Sequence, residues 1–236
     1  MNRDTIKYIA MVTMLLNHIA TIFMEPGTLW YEVLVNIGYF TAVTMCYFLV
    51  EGFRYTRSVK AYQNRILIFA VLSQFAFYLA FPEYGTVLNM MFTLYLCSWI
   101  VEVMRTVEQP GTRGLAVGAL IFLTMFCDWP VLAGVYTVLF VWAGEEEQRK
   151  KTAYLVSALL LGCSTFLANQ GILGDGMALL TAAGSVAAVL ASGVCVLHFY
   201  NGKQAEKGRT FSKWFFYAFY PGHLLVLGLI RMGCGL

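Results

Sequence analysis

The sequence has too little charge for a water-soluble protein of its size. Only 12% of its 236 residues are charged, whereas soluble domains carry about 25%. Apolar residues make up 59% of the chain. This composition cannot cover a globule with a wetted surface, so it excludes soluble enzymes, nucleic-acid-binding proteins and disordered proteins. It indicates a protein embedded in a membrane.

The sequence also lacks the cysteine patterns of disulfide-rich and zinc-binding proteins. Its six cysteines are scattered, none of them in C-x-x-C spacing, and five lie in apolar runs. Free thiols in such runs behave as small hydrophobic groups. We therefore expect neither a disulfide framework nor a metal site. The formal net charge of +3 is spread too thinly to indicate a nucleic-acid partner.

Long apolar stretches separated by short polar breaks are abundant. They predict an all-α fold, a single domain over residues 1–236 built as a bundle of about nine transmembrane helices. The predicted limits are 6–24, 31–53, 66–81, 86–104, 114–128, 130–143, 153–169, 177–200 and 214–231. The fifth and sixth stretches are short, so two interpretations stay open, two full crossings or a hairpin that does not fully cross.

The basic residues alternate with these stretches. If the chain crosses the membrane at each stretch, all but one of its 16 Lys and Arg residues fall on one side. The exception is Arg231, at the far end of the last stretch. Because Lys and Arg beside a span are retained in the cytoplasm, the pattern predicts a cytoplasmic N-terminus and a C-terminus outside.

Two histidines fall within the apolar stretches. His18 lies about 18 Å and His223 about 14 Å from the predicted cytoplasmic boundary, counted at about 1.5 Å per residue. Histidine exchanges protons near neutral pH, so two imidazoles at similar depth favour a shared catalytic or proton-transfer role. The alternative is that each donates to a neighbouring carbonyl and holds helices together. The third histidine, His198, is expected near the membrane interface.

A group of basic residues follows the second stretch. We call Arg54, Arg57, Lys60 and Arg65 the basic cluster, and Glu51 precedes it by one helical turn. Such a cluster is able to bind the phosphates of a cytosolic donor through charge-assisted hydrogen bonds. It serves equally well as an orientation signal or as a contact for anionic lipid.

Several segments, in order along nearly the whole chain, resemble the TraX family of integral membrane proteins. The founding member of that family is associated with N-terminal acetylation of conjugative pilin. The resembling segments are KYIAMVTMLLNHI (7–19), VEGFRYTRS (50–58), NMMFTL (89–94), CDW (127–129), FYNGK (199–203) and FYAFYPGHLL (216–225). Two departures stand out. Family members commonly have Asp where this chain has Asn17, and often an Arg and a Pro within the segment that reads GYFTA here (38–42).

The resemblance extends more distantly to transmembrane acyltransferases such as the acyltransferase-3 family. It implies a multi-pass protein of the bacterial inner membrane that moves acetyl from cytosolic acetyl-CoA to an acceptor. His18 matches the first-span histidine implicated in that transfer. The remaining roles that we expect are a second imidazole and a donor hydroxyl (His223 and Tyr220), donor binding (Glu51, Arg54, Arg57 and Arg65), and acceptor-side or supporting positions (Asn17, Asn89 and Asp128). The expected partners are acetyl-CoA, membrane lipid and an acceptor left open between a peptide, a glycan and a small amine.

Two other functions remain open from the sequence. The histidines would also suit a proton relay in a small proton-coupled transporter, which the absence of Asp at position 17 modestly favours. They would also suit the axial ligands of a haem held between helices.

Overall fold

The computed structural model describes residues 1–205 and 208–235, apart from the side chain of Arg209. Lys207, one of the predicted cytoplasmic basic residues, lies outside this part. Within it the chain forms nine α-helices and no strand, which confirms the all-α prediction. The helices are α1 (Arg3–Phe23), α2 (Leu29–Tyr55), α3 (Val59–Ala80), α4 (Met90–Thr106), α5 (Pro110–Leu123), α6 (Leu132–Ala143), α7 (Glu147–Asn169), α8 (Asp175–Val194) and α9 (Arg209–Gly233). Short 3₁₀ turns follow α3 and α5, and a π-helical turn follows α8.

Five helical segments of the described chain are long and apolar enough to cross a membrane. They are Arg3–Phe23, Leu29–Tyr55, Glu147–Asn169, Asp175–Phe199 and Thr210–Gly233. This finding supports a membrane protein. The number of nine crossings, the orientation of the termini and the bacterial inner membrane as location stay predictions.

Polar residues set where several helices begin. Ser58 accepts a hydrogen bond from Ala61 N (3.2 Å) and caps α3. The helix therefore starts about two turns before the predicted limit at residue 66, because its first turns carry basic residues that an apolar pattern does not detect. Asn89 caps α4 in the same way through Met91 N (2.9 Å).

The helices form two compact units, each made of two separate stretches of chain. Unit 1 comprises residues 1–45 and 145–216, and unit 2 comprises residues 46–144 and Tyr217 onward. Two of the three boundaries fall inside α2 and α9, and the third lies between α6 and α7. This division does not test the prediction of a single domain, which stays a prediction.

In unit 1, α2 and α8 run parallel and in register. The carboxylate of Glu32 accepts from the Thr181 hydroxyl (3.0 Å), and the Thr44 and Ser192 hydroxyls lie 2.8 Å apart. The residue offset between the partners is nearly the same in both pairs, as parallel helices require. Buried polar pairs of this kind hold helices together where water is absent.

In unit 2, α4 and α5 form a hairpin whose two arms have equal length. With its 3₁₀ turn, the second arm spans 17 residues, the same number as α4, or about 25 Å. Its end returns to the start of α4, where Leu88 N donates to Phe126 O (2.9 Å) and Asp128 N donates to Leu88 O (2.6 Å). The predicted fifth span therefore reaches as far as the fourth, whereas α6, with 12 residues, is shorter.

The six cysteines are free thiols in the structure.

Candidate functional site

Unit 2 contains a group of polar side chains that we call the polar recess, formed by Gln74, Asn89, Asp128, Tyr220 and His223. They come from α3, the start of α4, the turn before α6 and the middle of α9. Of these, only Gln74 was absent from the site residues expected from the sequence.

The position of the polar recess along α9 follows from a pair of contacts. Arg231, near the end of α9, lies 3.8 Å from the Glu83 carboxylate, and Gly228 packs against the backbone of Leu79 and Ala80. Tyr220 precedes Arg231 by 11 residues, or about 16 Å along the α9 axis. The Tyr220 hydroxyl contacts the backbone at the start of α4. Along α9, the start of α4 and the end of α3 are therefore about 16 Å apart.

Asn89 supports this start of α4 with its whole carboxamide. Its Nδ2 donates to Ala70 O (2.8 Å) and to Gln74 Oε1 (2.7 Å), and its Oδ1 accepts from Met91 N (2.9 Å). The side chain is fully buried. Asn89 is thus a positioning residue, and an acceptor would have to displace these bonds to reach it.

His223 is held in one orientation. It is 8% exposed, its ring stacks on Phe219 with centroids 4.8 Å apart, and its Nδ1 lies 2.7 Å from the Phe219 carbonyl oxygen. Because a carbonyl only accepts, Nδ1 carries the proton of the neutral ring and donates. The lone pair of the ring therefore sits on Nε2, which is the nitrogen able to act as a base.

Tyr220 lies beside this imidazole. The two ring centroids are 5.7 Å apart, and the phenol oxygen accepts a hydrogen bond from Met90 N (3.2 Å). The phenol proton is then directed away from the backbone donor. The hydroxyl also lies within electrostatic range of Asp128.

Asp128 occupies the turn between α5 and α6, outside the helices. The Thr93 hydroxyl donates to its carbonyl oxygen. The protein packed around its carboxyl raises the pKa of Asp128 from 3.8 to about 6, and a backbone hydrogen bond from Trp129 opposes part of that rise. The carboxyl therefore titrates close to neutral pH.

The basic cluster also belongs to unit 2. Arg54 and Arg65 are half-buried, and Arg57 and Lys60 are exposed. The Arg65 guanidinium lies over the Tyr62 ring at 5.8 Å, and its Nε has no hydrogen-bond partner among the described residues. A buried guanidinium N–H without a partner is suited to donate a hydrogen bond to a phosphate oxygen.

Arg105, at the end of α4, extends this positive region. It lies over the Phe53 ring at 5.7 Å and within electrostatic range of Arg54. Glu102 precedes Arg105 by three residues, a spacing at which opposite charges are able to pair within one helix. Glu102 instead accepts a hydrogen bond from Gln63 Nε2 (2.7 Å), a contact between α3 and α4. Sequence spacing within α4 carries no signal for such a partner on another helix.

His18 and Asn17 lie in unit 1. His18 is half-buried on α1. The Nδ2 of Asn17 donates to Val35 O of α2 (2.9 Å), and Gly38 packs directly against the same side chain. Asn17 therefore joins two helices. His18 and His223 belong to different units, so their meeting in one cavity stays a prediction.

Among the described residues, no group of three or more His, Cys, Asp or Glu side chains is arranged to hold a metal ion.

An all-helical chain with several helices long and apolar enough to span a bilayer defines the class, a helical membrane protein. The sequence profile of the TraX protein family matches residues 2–231, and the chain belongs to this family. It is 29% identical to the probable fimbrial assembly protein FimC, serogroup H1, of Dichelobacter nodosus, over 96% of this chain and 94% of that protein. The chain is thus related to a protein named for fimbrial assembly. No solved structure matches it.

Proposed function

We propose that the protein is a membrane-embedded acetyltransferase that moves acetyl from cytosolic acetyl-CoA to an acceptor at or across the membrane. The observation that carries this proposal is the pairing of His223 and Tyr220. The buried imidazole carries its lone pair on Nε2 and lies next to a phenol whose oxygen accepts a hydrogen bond from a backbone N–H. Acyl transfer needs these two groups, a base for the nucleophile and a donor for the carbonyl oxygen.

The transfer proceeds in two proton movements. The acceptor N–H or O–H attacks the thioester carbonyl carbon while His223 Nε2 takes its proton. The negative oxygen of the tetrahedral intermediate is stabilised by the Tyr220 O–H. The C–S bond then breaks, and the imidazolium returns the proton to the leaving thiolate, so that free CoA and the acetylated acceptor result.

The donor binds through its phosphates at the basic cluster. Arg65 supports this role best, because its Nε lacks a partner among the described residues and its guanidinium plane is set by Tyr62. Arg54 and Arg57 add charge, and Glu51, which is 6% exposed, is a supporting residue at the end of α2. The proposed reaction does not require a metal ion.

His18 is the second candidate base. The resemblance to transmembrane acyltransferases assigns the transfer step to this position, where the imidazole either accepts the acetyl group covalently or removes the acceptor proton. The name of the Dichelobacter relative favours a peptide amine of a surface-appendage subunit as the acceptor.

The test is acetyl transfer by the purified full chain in proteoliposomes, with radiolabelled acetyl-CoA and peptides bearing a free N-terminal amine. We expect His223→Gln to lower kcat by about 10²–10⁴-fold, the usual contribution of a general base. Tyr220→Phe is expected to lower kcat by about 10²-fold, as for the loss of one oxyanion donor. Arg65→Gln is expected to raise the KM for acetyl-CoA and leave kcat unchanged, because it acts in binding.

Arg149→Gln is the matched control, since this arginine is half-exposed in unit 1 and pairs with Glu146 (2.6 Å). It should leave both constants unchanged. Wild-type turnover in both His18→Gln and His223→Gln would contradict the proposed chemistry. Proton-driven uptake of a solute into the same vesicles without acetyl transfer would favour the transporter, and a Soret band in the purified protein would favour the haem protein.

A further inference from the structure

Unit 1 has a groove that the proposed acetyl transfer does not use. It lies between α2 and α8 and has a volume of about 570 Å³. Its walls run from Leu29 to Phe40 on α2 and from Leu180 to Ala191 on α8. Each wall covers 11 residue steps, or about 16 Å. That length is about half of a hydrocarbon core about 30 Å thick, the depth of one lipid leaflet.

The groove exists because one wall consists of small residues. The α8 wall is formed by Ala183, Gly184, Ala187, Ala188 and Ala191. Small side chains on a transmembrane helix normally let a neighbouring helix approach closely. Here they leave an open channel instead.

The channel cannot close by movement of α2 onto α8. The bonds of Glu32 with Thr181 and of Thr44 with Ser192 fix the two helices at both ends of the groove. These polar pairs are 12 residues apart on α2, or about 18 Å. The space between them is therefore a built feature of the unit.

The cross-section of the groove indicates what fits it. A volume of about 570 Å³ over about 16 Å corresponds to a section of about 35 Å². Carbon chains in contact lie about 4 Å apart, so a single aliphatic chain, bent or branched, fits.

Polar groups lie at three levels of the groove. Glu32 and Thr181 lie towards the start of α2, Asn36 lies near the middle, and Thr13 of α1 lines the far end beside Thr41. Glu32, Asn36 and Thr181 are 6%, 6% and 3% exposed. Glu32 is engaged with Thr181 and with Gly27 N (3.2 Å). Asn36 Oδ1 has no hydrogen-bond partner among the described residues. Leaving a buried oxygen acceptor without a hydrogen bond costs free energy, which a donor on a bound ligand would recover.

The rest of the groove is apolar. Val33 and Ile37 are 38% and 36% exposed along the α2 rim, and Phe40 closes the wall. A largely apolar groove with an unpartnered acceptor suits a lipid, which brings both an aliphatic chain and hydrogen-bond donors.

We propose that this groove binds the aliphatic chain of a single membrane lipid, with a hydroxyl or N–H donor at the polar end of the lipid directed to Asn36. The site is separate from the polar recess and from the basic cluster, which belong to unit 2. The proposal does not depend on acetyl transfer.

Photolabelling of the full chain tests it. The protein is placed in vesicles of phosphatidylethanolamine and phosphatidylglycerol that contain a trace of phosphatidylethanolamine with a diazirine in one acyl chain. After irradiation, labelled peptides are mapped by mass spectrometry. We expect the label to concentrate in residues 29–40 and 180–191, above the equally exposed apolar faces of Leu155 and Leu159 on α7.

The double variant Ala187→Leu, Ala191→Leu fills the groove from its α8 wall. Labelling of residues 29–40 and 180–191 should then fall about tenfold, which is equivalent to about 1.4 kcal/mol of binding free energy. Ala168→Leu is the matched control, because this residue is exposed on α7 and lies outside the groove. Thermal unfolding of each variant shows whether it has folded. Labelling spread evenly over all exposed faces, or unchanged in the filled variant, would overturn the proposal. A covalent dimer joined through these segments would overturn it in favour of a second copy.

Asn36→Leu tests the hydrogen bond to Asn36 separately. Phosphatidylethanolamine has N–H donors and phosphatidylcholine has none, so wild-type protein should be labelled more strongly by the first of two matched photolipids. The variant should lose this preference while the labelled segments stay the same. Equal labelling of the wild-type protein by both lipids would refute the contact with Asn36.

Discussion

At the scale of single residues, the contact of Asn17 with Gly38 shows why this chain carries an amide before its first histidine. The amide donates to the Val35 carbonyl, which a carboxylate cannot do. A Cβ at position 38 would lie 2.3 Å from Asn17 Cβ, so the glycine allows α1 and α2 to approach at this point. The amide at position 17 and the glycine at position 38 therefore belong to one packing contact.

We expect Gly38→Ala to lower the free energy of unfolding by about 1–3 kcal/mol, the usual cost of forcing an atom into a packed contact. Thermal and denaturant unfolding in detergent measure the effect. Gly118→Ala is the matched control, because a Cβ at this helical position meets nothing within 4 Å. It should be neutral or stabilising by about 0.5–1 kcal/mol. Equal stability losses in the two variants would contradict the contact.

Asp128 predicts a pH dependence of stability. Its pKa is about 6 in the folded protein, above the value of 3.8 for an unperturbed group. Between about pH 4 and pH 6 the folded state binds more protons than the unfolded state, so the contribution of Asp128 to stability falls as the pH rises. Above about pH 6 the loss is complete, at most about 3 kcal/mol.

Asp128→Asn removes this titration and keeps an oxygen that accepts from the backbone of Trp129. The stability of the variant relative to wild type should therefore increase from pH 4 to pH 6 and then stay level. Unfolding temperatures measured across this range for both proteins test the prediction. A difference that does not change with pH would show that the carboxyl has an ordinary pKa.

The sequence indicated which residues are candidates for the site, but it did not indicate which groups they contact. His223, Tyr220 and Asp128 were expected near the active site, and the structure brings them together in unit 2 with Gln74. Asn17 and Asn89 were expected at acceptor-side or supporting positions, and both have their amides engaged by carbonyls of neighbouring helices. A polar residue within an apolar stretch looks the same in either role, because its partner lies on another helix.

At the scale of elements, the turn before α6 stores strain. Val131 has φ 62° and ψ −55°, and Leu132 N donates to Pro130 O (2.6 Å), which is a γ-turn with positive φ. Trp129 also has a positive φ of 62°. Such backbone costs about 1–3 kcal/mol for residues other than glycine. The turn is held in place by a hydrogen bond from Val131 N to the Thr124 hydroxyl (2.9 Å).

Val131→Gly should therefore raise the free energy of unfolding by about 1 kcal/mol, since glycine adopts positive φ without a clash. Val135→Gly, within the regular part of α6, serves as the control and should lower it by a similar amount or more. Chemical unfolding of both variants gives the comparison. A loss of stability at position 131 as large as at position 135 would show that the turn is unstrained.

For the described residues, the number and order of the helices followed from the sequence, because apolar stretches and polar breaks mark them directly. The early start of α3 did not, because its first turns are basic and its N-cap is a single serine. The strained turn and the return of α5 to Leu88 also escaped prediction. The return depends on hydrogen bonds between segments about 40 residues apart. The turn depends on the bond from Val131 N to the Thr124 hydroxyl. A pattern of apolar and polar residues contains neither.

At the scale of the whole molecule, the predicted topology has a consequence that does not depend on the short helices. Nine crossings place the two termini on opposite sides of the membrane. If α5 and α6 together fail to cross, two crossings are lost and the number stays odd. The ion pair of Arg231 with Glu83 is also consistent with this topology, because both residues are assigned to the outer side.

The topology is testable with thiols that the chain already has. Cys234 and Cys163 are exposed, but Cys163 lies within α7, in a segment apolar enough to span the membrane. In a Cys163→Ala, Cys195→Ala background, a membrane-impermeant maleimide should label Cys234 in intact cells. When Cys234→Ala is combined with Arg57→Cys, labelling should require permeabilisation, because the basic cluster faces the cytoplasm in the predicted orientation. If the introduced thiol and Cys234 react from the same side, the number of crossings between them is even. If the thiol at position 57 reacts in intact cells, the basic cluster faces outward and has no access to cytosolic acetyl-CoA.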